Sequence, residues 1–148
     1  MFLFTLLFSV LSYAIGFTIE FPYGTNFMAR VKNINLNKIN DQTKSDLQYL
    51  FKTTPVLVFE KQKLIPEEQY YISTFFDQNY NNKVMHPFNT AIPSVEQISI
   101  RGKGIANHFG VDNIPIYVGK SFKYTEVWHQ DLVGVKDVLP PVVSSMYM

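Results

Sequence analysis

Helical spacing of apolar residues occurs in one part of this chain only, from Asn40 to Phe76, and it brackets a continuous apolar run, Pro55-Val56-Leu57-Val58-Phe59. Asn40 or Asp41 can cap the first helix, after which Leu47, Leu50 and Phe51 form a stripe at i, i+3 and i+4. The second helix opens at Leu64-Ile65-Pro66-Glu67-Glu68, with proline in the first turn and two acids at the positive end of the helix dipole. Tyr70, Tyr71, Phe75 and Phe76 give it an apolar side, so it is predicted to run to about Phe76. The run between the helices is continuously apolar and bounded by Thr-Pro and by charge, which predicts a buried strand.

Everything else has the period of strands or of loops. Phe17 to Phe21 alternates apolar and polar, then turns at Pro22-Tyr23-Gly24, and Phe27 to Leu36 alternates again with one slip of phase. Asp77 to Thr90 is polar and rich in asparagine, a loop, and Val95 to Ile100 is a strand. Arg101 to Asn113 is punctuated by glycine and reads as an irregular insertion or mobile loop, with a short extended piece at Ile116 to Gly119. Thr125 to Val133 is predicted to be a strand, Lys136 to Pro141 a turn, and Val142 to Met148 a last apolar strand. Helices grouped together and strands on either side predict an α+β, mainly β domain with its helices packed on one side of a sheet, rather than a doubly wound α/β fold.

The chain has 148 residues, enough for one domain with a real core. At 47% hydrophobic and 16% aromatic it is too apolar for a disordered protein. A formal net charge of +1 gives it no field with which to recruit nucleic acid. Without cysteine there is no disulfide framework, thiolate zinc site or thiol nucleophile, so metal chemistry would fall to His, Asp and Glu. Met1 to Val10 is almost wholly apolar and Ser12-Tyr13-Ala14 has small residues at both positions of a cleavage site, which reads as a signal peptide over residues 1–14 ahead of a domain over 15–148. No Lys or Arg precedes the run, and the alternative is a folded hydrophobic first strand or anchor. The run falls short of the ~20 apolar residues that cross a bilayer, so no stable membrane span is expected. The signal reading implies a secreted or endomembrane protein, the alternative a cytoplasmic one.

The chemistry is concentrated in Trp128-His129-Gln130-Asp131. On a strand, residues two apart share a face, so the His129 imidazole and the Asp131 carboxylate can converge on one metal ion. That pair supplies two of the three ligands of a facial 2-His-1-carboxylate iron site, which leaves positions open for O₂ and a co-substrate. Taken alone, the pair also fits a strand-edge histidine beside a solvated acid, and Trp128 fits ordinary core filling. Other motifs are weaker: Gly102-Lys103-Gly104 lacks the pattern of a phosphate-binding loop, Ser144-Ser145 lacks a nucleophile elbow, and Glu67-Glu68 suits a helix first turn better than a catalytic dyad.

Trp-His-x-Asp followed by an apolar segment and Pro140-Pro141 resembles the iron(II)/2-oxoglutarate-dependent dioxygenases of the taurine dioxygenase type. Pro55 to Phe59 followed by Leu64-Ile65-Pro66-Glu67-Glu68-Gln69 is similar to that family's strand-to-helix block, and Val95 to Ile100 to a later strand. The resemblance runs from about Phe17 to Met148 and covers the N-terminal part of a family member. It implies a partial double-stranded β-helix, or jelly roll. It also implies Fe(II) and 2-oxoglutarate as cofactor and co-substrate, and O₂ with a small organic molecule as substrates. His129 and Asp131 match the first two iron ligands. His86, in Met85-His86-Pro87, matches a histidine that faces substrate and otherwise reads as a loop residue capping a turn; Thr125 would line the pocket. The family's second iron-binding histidine and its 2-oxoglutarate-binding arginine lie downstream of the Pro-Pro strand and have no counterpart here. The resemblance therefore carries a second expectation: a truncated, non-catalytic relative or gene fragment acting as a binding module, with the 142–148 strand as an open edge for self-association.

Overall fold

A computed structural model of the protein describes residues 16–77, 89–116 and 143–148. The chain divides into two compact units, Met1–Lys63 and Leu64–Met148. The expectations for residues 1–14, for 78–88 within the polar loop, and for the strand from Thr125 to Val133 lie outside the described residues.

In the first unit, β1 (Thr18–Glu20) pairs antiparallel with β2 (Met28–Lys32), and β2 pairs parallel with β3 (Val56–Phe59). A parallel neighbour requires a long crossover, and here the crossover carries a single 3-10 turn, Leu36–Lys38, and the helix α1, Asp41–Thr53. The choice of cap falls on Asn40, whose side chain accepts a 2.8 Å hydrogen bond from the Thr43 N–H. Pro55 disfavours helical geometry in the residue before it, so α1 stops at Thr53 and Thr54 is already extended. Leu47, the first residue of the predicted stripe, is fully buried. Leu50 and Phe51 are half-buried.

Register places Ile19, Ala29, Val31, Leu57 and Phe59 on one face of the sheet, the face on which α1 and β1 share a groove. The opposite face carries Lys32, whose ammonium lies 2.7 Å from Glu20 and 4.0 Å from Glu60. Such exposed pairs contribute at most about 1 kcal/mol. The expectation of a buried strand at 55–59 is corrected: among the described residues β3 pairs with β2 alone and its Val56 and Val58 are 37% and 39% exposed, whereas Ala29 and Val31 of β2 are at 0%. An all-apolar run conceals which face is covered; the alternating β2 reveals it. Gln62 then fastens the end of β3 to the start of the crossover: its amide donates to the carbonyls of Ile34 (2.9 Å) and Glu60 (2.7 Å) and its oxygen accepts from the Leu36 N–H (3.1 Å).

In the second unit, α2 (Pro66–Ser73) has proline at its first position, and the Glu68 carboxylate accepts from the Ile65 N–H at 2.9 Å. The helix ends three residues before the predicted Phe76, in tight turns in which Thr74, Phe75 and Phe76 donate to carbonyls three or four residues back; Phe75 is nevertheless buried, its ring edge-on to Tyr71 at 5.0 Å. Two antiparallel hairpins follow, β4 (Ala91–Ile92) with β5 (Val95–Ser99), and β6 (Gly104–His108) with β7 (Val111–Ile116). Ile92, Val95, Ala106 and Val111 form their common core, with Tyr70 of α2 packed against it.

Two expectations fail in this unit. Residues 104–116 are a hairpin, not an irregular insertion. Phe109 and Gly110 form its two-residue turn with φ of 54° and 80°, the left-handed pair of a type I′ connection. The glycine that reads as looseness is the residue that lets the hairpin close. Val143 to Met148 is not a strand. It is irregular and largely exposed, held to α2 through Ser145, whose hydroxyl lies 2.8 Å from that of Ser73 and accepts from the Gln69 amide at 3.1 Å. Paired serines anchor this stretch by side chain, so the open edge expected of it for self-association is not formed there.

The described residues thus form an α+β arrangement, mostly strands with two helices, and contain no closed barrel. No helix among them is long and apolar enough to cross a membrane.

Candidate functional site

The residues assigned to chemistry by sequence, His129 and Asp131 for metal and His86 and Thr125 for substrate, all lie outside the described residues. What can be described is the framework leading to them. β5 is the strand expected at 95–100, and β7 is the element from which the chain continues toward Trp128.

Among the described residues there is no group of three or more His, Cys, Asp or Glu able to hold a metal ion. The only histidine in this set, His108, ends β6 on the surface with its ring 6.3 Å from that of Phe109. Glu67, exposed at the start of α2, has its carboxyl held below its ordinary value first by a 2.5 Å hydrogen bond from the Ser94 hydroxyl and second by a backbone N–H. Its role is to join α2 to the β4–β5 turn, so the bland reading of Glu67-Glu68 as first-turn acids stands.

The concave feature among the described residues lies in the first unit, a groove of about 500 Å³ between β1 and α1. Phe17, Ile19 and Phe21 form one wall, and Ser45, Asp46, Tyr49, Leu50 and Thr53 the other. Its single carboxylate, Asp46, accepts from Gln42 at 2.9 Å. With one apolar wall and a second that mixes Tyr49 and Leu50 with Ser45, Asp46 and Thr53, it suits apolar surface with a polar rim. Sequence analysis missed it, although the odd-numbered aromatics of Phe17 to Phe21 were its signal.

Neither a family model nor a solved structure matches the chain. A curated protein does: the alpha-ketoglutarate-dependent xanthine dioxygenase xan1 of Schizosaccharomyces pombe (strain 972) is 24% identical over 135 residues, covering 82% of this chain and 32% of the relative. The chain is a distant relative of a 2-oxoglutarate-dependent dioxygenase. It spans about a third of the length of the protein it matches. The similarity supports the broad 2-oxoglutarate dioxygenase relationship and does not distinguish the taurine dioxygenase type within it.

Proposed function

We propose that this chain carries the iron-binding strand of an iron(II)- and 2-oxoglutarate-dependent dioxygenase of the taurine dioxygenase type, built on a jelly-roll framework, acting on a small organic substrate with O₂. The observation that carries the reading is the similarity to the xanthine dioxygenase over most of the chain. The Trp128-His129-Gln130-Asp131 motif adds the ligand chemistry such an enzyme needs. His129 and Asp131 would hold the iron through an imidazole nitrogen and a carboxylate oxygen, while His86 and Thr125 would meet the substrate. The relative's name makes a purine such as xanthine the first substrate to try. Bound iron and 2-oxoglutarate supply the oxidising power; the protein's share is to position the substrate and exclude water.

A second reading, a non-catalytic relative acting as a binding module, draws on the same sequence: two ligands of a three-ligand site are identified, and the arginine that would clamp 2-oxoglutarate has no assigned position. One experiment separates the two. Anaerobic addition of iron(II) and 2-oxoglutarate to the 148-residue protein should give the visible charge-transfer absorption of the chelated metal, and His129→Ala should abolish it. No absorption from the unaltered protein refutes the enzymatic reading for these residues. Absorption that persists in both His129→Ala and Asp131→Ala refutes the ligand assignment.

A further inference from the structure

At eight residues, Pro66–Ser73, α2 is below the length at which a helix persists on its own in water, so its neighbours must hold it. Two supports come from the hairpins: Tyr70 packs against their core, and the Glu67 carboxylate accepts from the Ser94 hydroxyl. A third comes from the segment 143–148. The Ser145 hydroxyl accepts from the Gln69 amide at 3.1 Å and from the Ser73 hydroxyl at 2.8 Å, and the Ser145 carbonyl accepts from the same amide at 3.3 Å. At the other end of the helix, the Tyr147 hydroxyl accepts from the Leu64 N–H at 3.4 Å.

The segment therefore brackets the helix. Ser145 lies at its last turns, and Tyr147 reaches the residue ahead of its cap. Two residues of chain cover about 7 Å, and the length of the tyrosine side chain carries the phenol oxygen the rest of the way. The alternate residues turn outward: Met146 is 84% exposed and Met148 fully so. The side facing the helix is thus polar and the side facing water apolar, the reverse of a segment built into a core. The bonds named above lie at exposed sites, and each can be exchanged for water at small net cost. The core of the second unit, Ile92, Val95, Ala106 and Val111, includes none of these residues. Lifting the segment leaves that core intact.

We propose that residues 143–148 form a releasable strap on α2. Ser145 and Tyr147 grip opposite ends of the helix as one cooperative unit, and the strap lifts off as a whole while the hairpins stay folded. The assignment is independent of the dioxygenase reading.

Residue-resolved amide hydrogen exchange on the full 148-residue chain tests it. In the unaltered protein the Leu64 amide, which donates to Tyr147, should exchange at a rate insensitive to urea below the unfolding transition, the mark of a local opening. Ser145→Ala removes the grip at the far end of the helix and makes no change at Leu64 itself. It should nevertheless speed exchange at Leu64 about threefold, because loosening one end releases the other, and leave the amides paired across β6 and β7 unchanged. Unchanged exchange at Leu64 in Ser145→Ala would reveal two separate surface bonds and overturn the proposal. So would equal acceleration at Leu64 and in the β6–β7 hairpin, which is general destabilisation, or exchange at Leu64 in the unaltered protein that rises steeply with urea.

Discussion

Thr54 sits where α1 hands over to β3, 1% exposed, and its hydroxyl has no hydrogen-bond partner. Its backbone N–H is satisfied by the Leu50 carbonyl at 3.0 Å, and its backbone is extended (φ −134°, ψ 96°), a conformation that β-branched residues favour. Leaving a buried hydroxyl unpaired costs about 1–3 kcal/mol, whereas the methyl of valine fills the same volume without that penalty. Thr54→Val should therefore stabilise the protein by about 1 kcal/mol, the lower end because a small relaxation or a water molecule can recover part of the deficit. For a chain of this size that is a rise in midpoint of roughly 2–4 °C. Urea denaturation followed by far-UV circular dichroism, with thermal scans beside it, reads the change. The adjacent Thr53→Val is the control: its hydroxyl donates to Leu50 at 3.2 Å on the exposed side, so it should be neutral or slightly destabilising. Destabilisation by Thr54→Val of 1 kcal/mol or more would show that the hydroxyl is satisfied, and the reasoning fails.

Leu47→Ala, at a fully buried position on α1, should destabilise by about 2–5 kcal/mol, read as a lower urea midpoint with unchanged slope; a loss below about 1 kcal/mol would mean that the site is not packed. Phe109→Asn places a residue tolerant of positive φ at the first turn position of the β6–β7 hairpin and removes a half-exposed ring, so it should raise stability by about 0.5–1 kcal/mol. Because the Glu67 carboxyl is held below its ordinary value, the unfolded chain binds its proton first as pH falls. The contribution of the Glu67–Ser94 link is therefore complete above the ordinary carboxylate range and is lost as pH drops through the folded-state value. Ser94→Ala should lower stability at neutral pH and leave it nearly unchanged once pH has fallen below the folded-state value, flattening the profile in between; a uniform loss at all pH values would point to a packing role instead.

Where a residue's own chemistry decides a structure, the sequence was readable. Asn40 as a cap and Pro66 as a first-turn residue act through local hydrogen bonding or fixed dihedral angles. What failed depends on partners far along the chain. Val56 and Val58 look like core residues until the strand order makes β3 an edge, and Gly102, Gly104 and Gly110 look like a loose segment until His108 is set opposite Val111. Val142 to Met148 is apolar enough for a strand, yet Ser145 finds its partners on a helix 72 residues earlier. For the candidate site, the Trp128-His129-Gln130-Asp131 reading rests on residue types and spacing, and those residues lie outside the described ones. The β1–α1 groove had only half its signal in the sequence, the alternation of Phe17, Ile19 and Phe21; its other wall is set only once α1 meets β1.

The parallel pairing of β2 and β3 also orders events during synthesis. β1 and β2 are neighbours in sequence and can meet as soon as both leave the ribosome, but β3 finds its place only after the whole intervening helix has been made. Gln62, which fastens the end of β3 to the start of that crossover, is translated later still. The first unit therefore matures in one late step, and a nascent chain stalled before Gln62 would display its greasiest strands to chaperones.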